Sequence, residues 1–349
     1  MLTLRSHLTR WALLASALAM VAVLLVACGD DADEPEATAT STATEAAASA
    51  TTDATATETP TEAAPTEVTI EHYSGTDTVP VNPETVVVMD LGILLTLDAL
   101  GVEVDAVGGV GTPIPAEYEA LVNNPAYTTV GTAFEPDYEA INAMEPDLII
   151  VATRSSATYP EMSKIAPTID LTGAEGAGAL EALTKQVNDL AAIFGAEERA
   201  TELLADLDEE IAAIQAETAD AGTALVVMTN GAEVSAYGPG SFRFGMVHDL
   251  FGYAAADDSL ERDATHGDVI SFEFILEANP DVLFVVDRAA AIGDGSENAE
   301  AVLDNELVRQ TTAWQDERVV YVDNFSWYIA FNSLPAMFDI IEDIRTSIS

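Results

Sequence analysis

Short uninterrupted apolar runs alternate along the chain with longer segments in which apolar residues recur every three or four positions. The runs are typical of buried strands, and the spaced segments are typical of amphipathic helices. Strands separated by helices favour βαβ units and a mainly parallel sheet. The predicted strands are residues 85–89, 106–108, 148–152, 224–228, 282–286 and 319–322, and helical patterns cover residues 92–100 and 245–251.

The strongest helical pattern covers residues 197–219 and lies between the two groups of strands. At 1.5 Å per residue this helix would be roughly 35 Å long, enough to pass from one lobe to another. We therefore predict an α/β fold with two Rossmann-like lobes, residues 68–195 and 221–349, joined by one helix at residues 196–220. A single rigid helix would limit how far the lobes close on each other. The apolar positions of this helix are Ala200, Leu203, Leu204, Leu207, Ile211 and Ile214.

Two segments of the chain align without a gap, 134 positions apart: residues 137–154 and residues 271–288. Each has the pattern of a capped helix, a Pro-Asp turn and a buried strand that ends near an arginine, Arg154 or Arg288. A repeat this long indicates a domain duplication rather than a solenoid. Ligands of open α/β sheets bind outside the carboxyl ends of the strands. Two facing lobes would therefore present both arginines to a shared cleft, as an anion receptor requires.

The charge balance is extreme, with 12 basic and 60 acidic residues and a formal net charge of −48. Nucleic-acid binding requires a basic footprint, so this balance excludes it. A mostly acidic surface also repels small anions, so an anion site has to concentrate its cations locally. The few arginines are informative for that reason.

Residues 1–27 have the organisation of a secretory signal peptide, with Arg5 and Arg10 followed by an apolar run. The only cysteine, Cys28, follows Leu-Val-Ala, which resembles the lipobox of bacterial lipoproteins. The alternative is an uncleaved membrane anchor with an incidental cysteine, for which the run is at the short limit. We predict lipidation at Cys28 and a protein held on the extracytoplasmic face of the cell membrane.

Residues 28–67 form a predicted linker rich in Ala, Thr, Glu, Asp and Pro. Such a composition cannot bury enough apolar surface to order itself. Self-repulsion of its acidic groups would keep it extended, as a tether between the anchor and the folded lobes.

Signatures of catalysis are missing from the sequence. There is no Gly-x-Ser-x-Gly elbow, Walker loop or His-Glu-x-x-His pair. The histidines at positions 72, 248 and 266 are poorly spaced for a resident metal site. We predict a binding protein without a permanent cofactor; a lipid-anchored hydrolase is the alternative from another class.

Arg154, Arg243 and Arg288 are the best candidates for ligand binding. Each follows a predicted strand or lies in a Gly-rich loop, as Arg243 does after Gly238-Pro-Gly-Ser-Phe. A guanidinium group stays charged and presents several donors in a fixed fork, which suits ligands with several anionic oxygens. The alternative is that each arginine pairs on the surface with one of the abundant acidic residues.

A set of motifs, each weak alone, resembles in its order the siderophore-binding lipoproteins of ABC importers, in particular the catecholate and petrobactin branch. The resemblance covers the chain from about Val68 to the C-terminus. The motifs are Thr129-Val-Gly-Thr-Ala-Phe-Glu-Pro136, Ser163-Lys-Ile-Ala-Pro-Thr-Ile-Asp170, Thr229-Asn-Gly231, Thr265-His-Gly267, Asn279-Pro-Asp-Val-Leu-Phe-Val-Val-Asp-Arg288, Leu303-Asp-Asn-Glu-Leu307 and Trp327-Tyr328.

The resemblance implies the periplasmic-binding-protein fold of the iron-siderophore and cobalamin type, with a long interdomain helix. It implies that three cleft arginines, here Arg154, Arg243 and Arg288, receive the charge of a ferric catecholate. In some members a histidine and a tyrosine complete the iron coordination, and these fall on His266 and Tyr328. The alternatives are a loop histidine satisfied by backbone and an aromatic side chain that only packs.

Two departures from the family pattern bear on these residues. We expect the extra residue in Ser241-Phe-Arg-Phe-Gly245 to re-aim Arg243, and Ile329–Pro335 stands where the family pattern has a Gly-rich stretch after Tyr328.

Glu139 and Glu273 form a second pair related by the repeat. Each falls in the first turn of a predicted helix, where the helix dipole favours a carboxylate. The resemblance offers the alternative that one glutamate per lobe docks on an ABC permease. We thus predict a monomer that captures an anionic ferric siderophore for that permease, with haem or another iron chelate as the alternative ligand.

Overall fold

The computed structural model describes residues 65–109, 111–174, 176–260 and 267–348. Two sheets, each covered by helices, follow one another along this part of the chain, which confirms the predicted α/β class. An antiparallel hairpin precedes them, made of β1 (Glu67–His72) and β2 (Gly75–Pro80). The predicted signal peptide, the lipidation site Cys28 and nearly all of the linker lie outside the described residues.

The first sheet has five parallel strands in the order β5-β4-β3-β6-β7. Alternate residues of β3 point to opposite faces, so Val86 and Val88 belong to one apolar cluster and Val87 to another. Burial on both faces is typical of parallel sheets and explains the uninterrupted apolar runs. The strands are β3 (Val86–Val88), β4 (Ala106–Gly109), β5 (Thr128–Thr132), β6 (Leu148–Val151) and β7 (Thr168–Asp170).

The helices of the first lobe lie between and after these strands. The first of them starts where the side chain of Asp90 accepts a hydrogen bond from the backbone N–H of Ile93, and it ends at Gly101 with φ of 80°. They are α1 (Leu91–Leu100), α2 (Ala116–Val122), α3 (Tyr138–Ala143), α4 (Tyr159–Met162) and α5 (Ala179–Phe194).

The predicted long helix is α6 (Glu197–Thr218), with 22 residues. Its buried residues include Ala200, Leu207, Ile211 and Ile214, at the spacing expected of one helical face. It lies between the two sheets in sequence, so the fold has the predicted two lobes and one long connecting helix.

The second sheet has six strands, five in the order β11-β9-β8-β12-β13, with β10 beside β8. The strands β8, β10, β12 and β13 are parallel, whereas β9 and β11 pair antiparallel at one edge. The sequence analysis did not anticipate this antiparallel edge. The strands are β8 (Thr223–Asn230), β9 (Glu233–Tyr237), β10 (Ala254–Ala255), β11 (Asp268–Ile270), β12 (Val282–Asp287) and β13 (Val319–Tyr321).

The C-terminal helix packs against α1 and α6, so contacts between the lobes extend beyond the long helix. One apolar cluster accordingly contains both Ile150 of the first sheet and Phe284 of the second. Within the described residues, no helix is long and apolar enough to cross a membrane. The remaining helices are α7 (Met246–Asp249), α8 (Phe272–Ala278), α9 (Arg288–Ile292), α10 (Ala299–Leu303), α11 (Thr312–Gln315) and α12 (Leu334–Thr346).

Candidate ligand-binding cleft

The two copies of the repeat have the same local structure. Asp137 and Ser271 cap α3 and α8 with their side chains. The Pro-Asp turn then places Asp147 and Asp281 where their carboxylates accept hydrogen bonds from the N–H groups at the start of the neighbouring strand, at 2.9 and 2.7 Å. Both following strands, β6 and β12, are inner strands of their sheets. Arg154 lies three residues beyond β6 and Arg288 directly beyond β12, so the duplication carries both arginines to equivalent strand ends.

Three arginines converge on one aromatic residue, Tyr328. The guanidinium carbon atoms of Arg154, Arg243 and Arg288 lie 5.4, 4.8 and 5.9 Å from the centre of the Tyr328 ring. Arg243 also lies 5.0 Å from the ring centre of Phe331. Cations at these distances interact with the negative faces of aromatic rings. The ring of Tyr328 is therefore a shared contact of three like charges.

The hydrogen bonds of the three arginines go to uncharged acceptors. Arg154 donates to the backbone carbonyl oxygens of Tyr328 and Ile329, at 2.6 and 2.9 Å. Arg243 donates to the same carbonyl of Tyr328 at 3.3 Å, so the extra residue before it does not remove it from the group. Arg288 donates to the phenol oxygen of Tyr328 at 3.0 Å and to the side-chain oxygen of Asn230 at 2.8 Å.

Among the described residues, no carboxylate lies within 4.0 Å of a nitrogen of these three arginines. Other arginines do have acidic partners: Arg199 pairs with Glu202 at 3.2 Å and Arg345 with Glu210 at 2.8 Å. Burial lowers the pKa of Arg243, and the positive charge of Arg154 lowers it further. The cluster is thus a concentration of positive charge without a negative partner, in a strongly acidic chain.

A short π-helix, Phe325–Ile329, positions Tyr328. Trp327 is fully buried, stacks on Phe284 with ring centres 5.8 Å apart and donates its ring N–H to Asp343 at 2.8 Å. The hydroxyl of Ser326 donates to Asp339 at 2.8 Å. These contacts fix the segment that carries Tyr328. π-helical turns are rare in proteins, and those that do occur are frequently at functional sites.

Asp90 connects the segment that carries Arg154 in the first lobe with the segment that follows Tyr328. One of its carboxylate oxygens accepts the hydroxyl hydrogen bond of Thr153 at 2.6 Å, and the other accepts from the side-chain amide of Asn332 at 3.0 Å. Thr153 precedes Arg154 and has a φ of 42°, which is unfavourable for a β-branched residue. The sequence analysis missed this role, because locally Asp90 is only a helix cap.

A cleft of about 960 Å³ opens in front of the cluster and is lined by residues of both lobes. Arg154 and Arg243 are in its wall, together with the aromatic side chains of Tyr73, Tyr237, Phe242 and Phe331. Arg288 and Tyr328 lie behind this wall, and Tyr328 is 7% exposed. Burial raises the pKa of Tyr237 to about 12, so its phenol stays neutral. Cationic and aromatic groups therefore face the same space.

The other candidate residues lie away from the cluster or outside the description. Glu139 and Glu273 are both exposed, in the first turns of α3 and α8. Hydrogen bonding to its own backbone N–H and to Ser271 lowers the pKa of Glu273. His266 lies outside the described residues. Within the described part of the chain, no cluster of three or more His, Cys, Asp or Glu residues is arranged to hold a metal ion.

Known proteins similar to this chain are binding proteins for ferric siderophores. The petrobactin-binding protein YclQ of Bacillus subtilis is 38% identical over 284 residues, which cover 80% of this chain and 87% of YclQ. The ferric-anguibactin-binding protein FatB of Vibrio anguillarum is 34% identical over 285 residues, with coverage of 80% and 87%.

The solved structure of the periplasmic catecholate-siderophore-binding protein VctP from Vibrio cholerae superposes with a TM-score of 0.75 at 35% identity. The superposition covers 80% of this chain and 100% of VctP. Residues 86–324 match the family model described as periplasmic binding protein. The chain therefore belongs to the periplasmic binding protein family, whose similar members are substrate-binding proteins of the siderophore type and not enzymes.

Proposed function

We propose that this protein captures an anionic ferric siderophore, of the catecholate type, in the cleft between its lobes. The observation that carries the proposal is the cluster of Arg154, Arg243 and Arg288, which has no carboxylate partner among the described residues of a chain with 60 acidic residues. The relatives YclQ, FatB and VctP, named for petrobactin, ferric anguibactin and catecholates, support this ligand class.

The charge of the ligand matches the site. A ferric tris-catecholate carries about three negative charges, and charge-assisted hydrogen bonds to it are stronger than those to neutral acceptors. Each such bond contributes roughly 1.5–3 kcal/mol. Three of them supply much of the −8 kcal/mol or so that corresponds to a micromolar dissociation constant. A neutral hydroxamate or cobalamin would leave this positive charge without compensation.

The arginines donate to two backbone carbonyls, the Asn230 amide oxygen and the phenol of Tyr328. The anionic oxygens of a ferric catecholate are better acceptors, and we propose that they replace part of these contacts. Tyr328 accepts a hydrogen bond from Arg288 at 3.0 Å, and we propose Tyr328 and His266 as the iron ligands that the protein supplies. Iron enters only as part of this cargo.

Delivery to an ABC permease of the iron-siderophore type completes the proposal. Residues 68–195 and 221–349 act as two lobes around the helix at 196–220, in a monomer tethered by residues 28–67 to a lipid on Cys28. Glu139 and Glu273 dock on the permease, one from each lobe. Their support is the matching position in the repeat and their exposure on corresponding helices.

A single binding screen tests the ligand class. Trp327 is adjacent to Tyr328, so intrinsic tryptophan fluorescence reports on the cluster, and ferric catecholates should quench it with a saturable, submicromolar titration. Ferric hydroxamate, ferric citrate and haem should bind at least tenfold more weakly, a difference of about 1.4 kcal/mol. Equal or tighter binding of haem or ferric citrate would identify that compound, and not a ferric catecholate, as the ligand. If none of these compounds bound, the proposal would be overturned.

A further inference from the structure

Phe242 is an unusual residue in the wall of the cleft. It is a large aromatic side chain with 51% of its surface exposed, in the loop between β9 and α7. An exposed aromatic ring in the wall of a cleft is free to pack against a ligand.

The loop around Phe242 is held firmly on both sides. Gly240, with φ of 74°, donates its N–H to the carboxylate of Asp249 at 2.6 Å. On the other side Gly245 donates to the carbonyl of Ser241 at 3.0 Å, and a side chain at position 245 would meet that carbonyl at 2.5 Å. Gly240 and Gly245 therefore allow a tight loop that holds Phe242 in a fixed position.

Phe242 faces an aromatic neighbour and the opposite lobe at the same time. Its ring lies edge-on to Phe331, with ring centres 5.7 Å apart and an angle of 85°. Phe331 in turn carries the guanidinium of Arg243 on its face. Across the cleft, a methyl group added at Gly173 would lie 3.5 Å from the Phe242 ring. The ring thus lies where the two lobes approach each other at the side of the cleft.

The arginines and the aromatic side chains of the cleft wall favour different features of a ligand. Three cations select negative charge, which citrate and catecholate chelates both carry. The exposed ring of Phe242 selects an apolar planar group, because aromatic pairs in edge-on or offset contact are favourable beyond the area they bury. A chelate with aryl rings next to its anionic oxygens satisfies both conditions, whereas ferric citrate satisfies only the first.

We propose that Phe242 is a specificity-determining residue, which packs on an aryl ring of the bound ferric chelate and so discriminates aryl chelates from aliphatic ones. The inference rests on the proposed function and narrows it. Because the group is half exposed and outside the apolar core, its replacement should leave the fold intact.

The test compares Phe242→Tyr, Phe242→Leu and the unaltered protein by fluorescence titration with a ferric tris-catecholate. The tyrosine variant, which keeps the ring, should bind within about twofold of the unaltered protein, and the leucine variant should lose about 2- to 12-fold. Any affinity for ferric citrate should be the same in all three proteins. Phe134→Leu, at an exposed aromatic residue outside the cleft, is the matched control and should change nothing.

The outcomes separate the two claims. Equal affinity of the leucine and tyrosine variants for the catecholate would overturn the role of Phe242 while leaving the proposed function in place. A parallel loss for citrate and catecholate would also overturn it, since that would mark a general packing defect. Failure of the unaltered protein to bind any ferric chelate would overturn the proposed function itself, and this inference with it.

Discussion

Arg154 donates a hydrogen bond of 2.6 Å to the backbone carbonyl oxygen of Tyr328, which lies 174 positions further along the chain. The bond joins the end of a strand in the first lobe to a segment that follows the last strand of the second. The contact therefore ties the two lobes together at the arginine cluster.

The arginine cluster gives the first prediction. Replacing Arg154, Arg243 or Arg288 by Ala should cost about 1.5–3 kcal/mol of binding free energy for a ferric catecholate, or roughly 10- to 150-fold in affinity. Replacement by Lys should recover only part of the lost affinity, because the positive charge remains but the forked set of guanidinium N–H donors is absent. Fluorescence titration of each single variant measures the effect.

Arg309→Ala is the matched control for the cluster, since Arg309 forms an exposed ion pair with Asp304. It should change affinity little. Equal, small losses in the control and the cluster variants would mean that the arginines act only through total charge. Arg318 is a poor control, because it donates to the backbone carbonyls of Ser347 and Ala221 and so supports the fold.

Docking to the permease gives the second prediction. Glu139→Gln combined with Glu273→Gln should leave ligand affinity within about twofold, because exposed charges remote from the site are screened. Uptake of the ferric siderophore by cells should be abolished. The same double change at Glu198 and Glu209, exposed on α6, should leave uptake normal. Wild-type uptake by the Glu139 and Glu273 variant would leave these residues as helix-dipole partners only.

Lipidation gives the third prediction. Cys28→Ser should release the protein into the medium or block its maturation, since no other cysteine is present to carry the lipid. Fractionation of cells and medium, with mass measurement of the mature N-terminus, detects either result. A variant that is processed and retained like the parent protein would contradict the anchor.

Asp343, beneath the π-helix, gives a prediction about pH. Burial raises the pKa of its carboxyl from 3.8 to about 6. The folded state then binds the proton of Asp343 more tightly than the unfolded chain does. Protonation of this carboxyl therefore stabilises the folded state fully below about pH 4, and this stabilisation is lost as pH rises through about 6. In Asp343→Asn the side chain is neutral throughout, so the variant should gain about 1–3 kcal/mol relative to the parent between pH 4 and pH 7.

Denaturant unfolding of both proteins at pH 4, 5, 6 and 7 measures this difference. Asp316→Asn, at an exposed aspartate, is the control, and its difference from the parent in free energy of unfolding should change much less with pH. A pH-independent difference for Asp343→Asn would contradict the assignment.

The strands β3, β4, β6, β8, β12 and β13, the duplication and the two arginines at strand ends were predictable from the sequence. These features depend on neighbouring residues: the spacing of apolar positions, a Pro-Asp turn, and a capping side chain such as Ser271. The structure confirms the α/β class, and the long helix α6 covers Glu197–Thr218 within the predicted 197–219. The strands β1, β2, β5, β7, β9, β10 and β11 were not predicted, because short or partly exposed strands carry little periodicity.

Only the tertiary structure decided how the site is assembled. The meeting of Arg243 with Tyr328, the link from Asp90 to Asn332 over 242 positions and the approach of Phe242 to Gly173 depend on how the two lobes pack. No local pattern encodes such contacts, since they arise from the summed burial of side chains distant in sequence. The sequence thus determined which residues carry charge to the ends of strands, and packing of the lobes determined that two of those charges, together with Arg243 from a loop, surround one tyrosine.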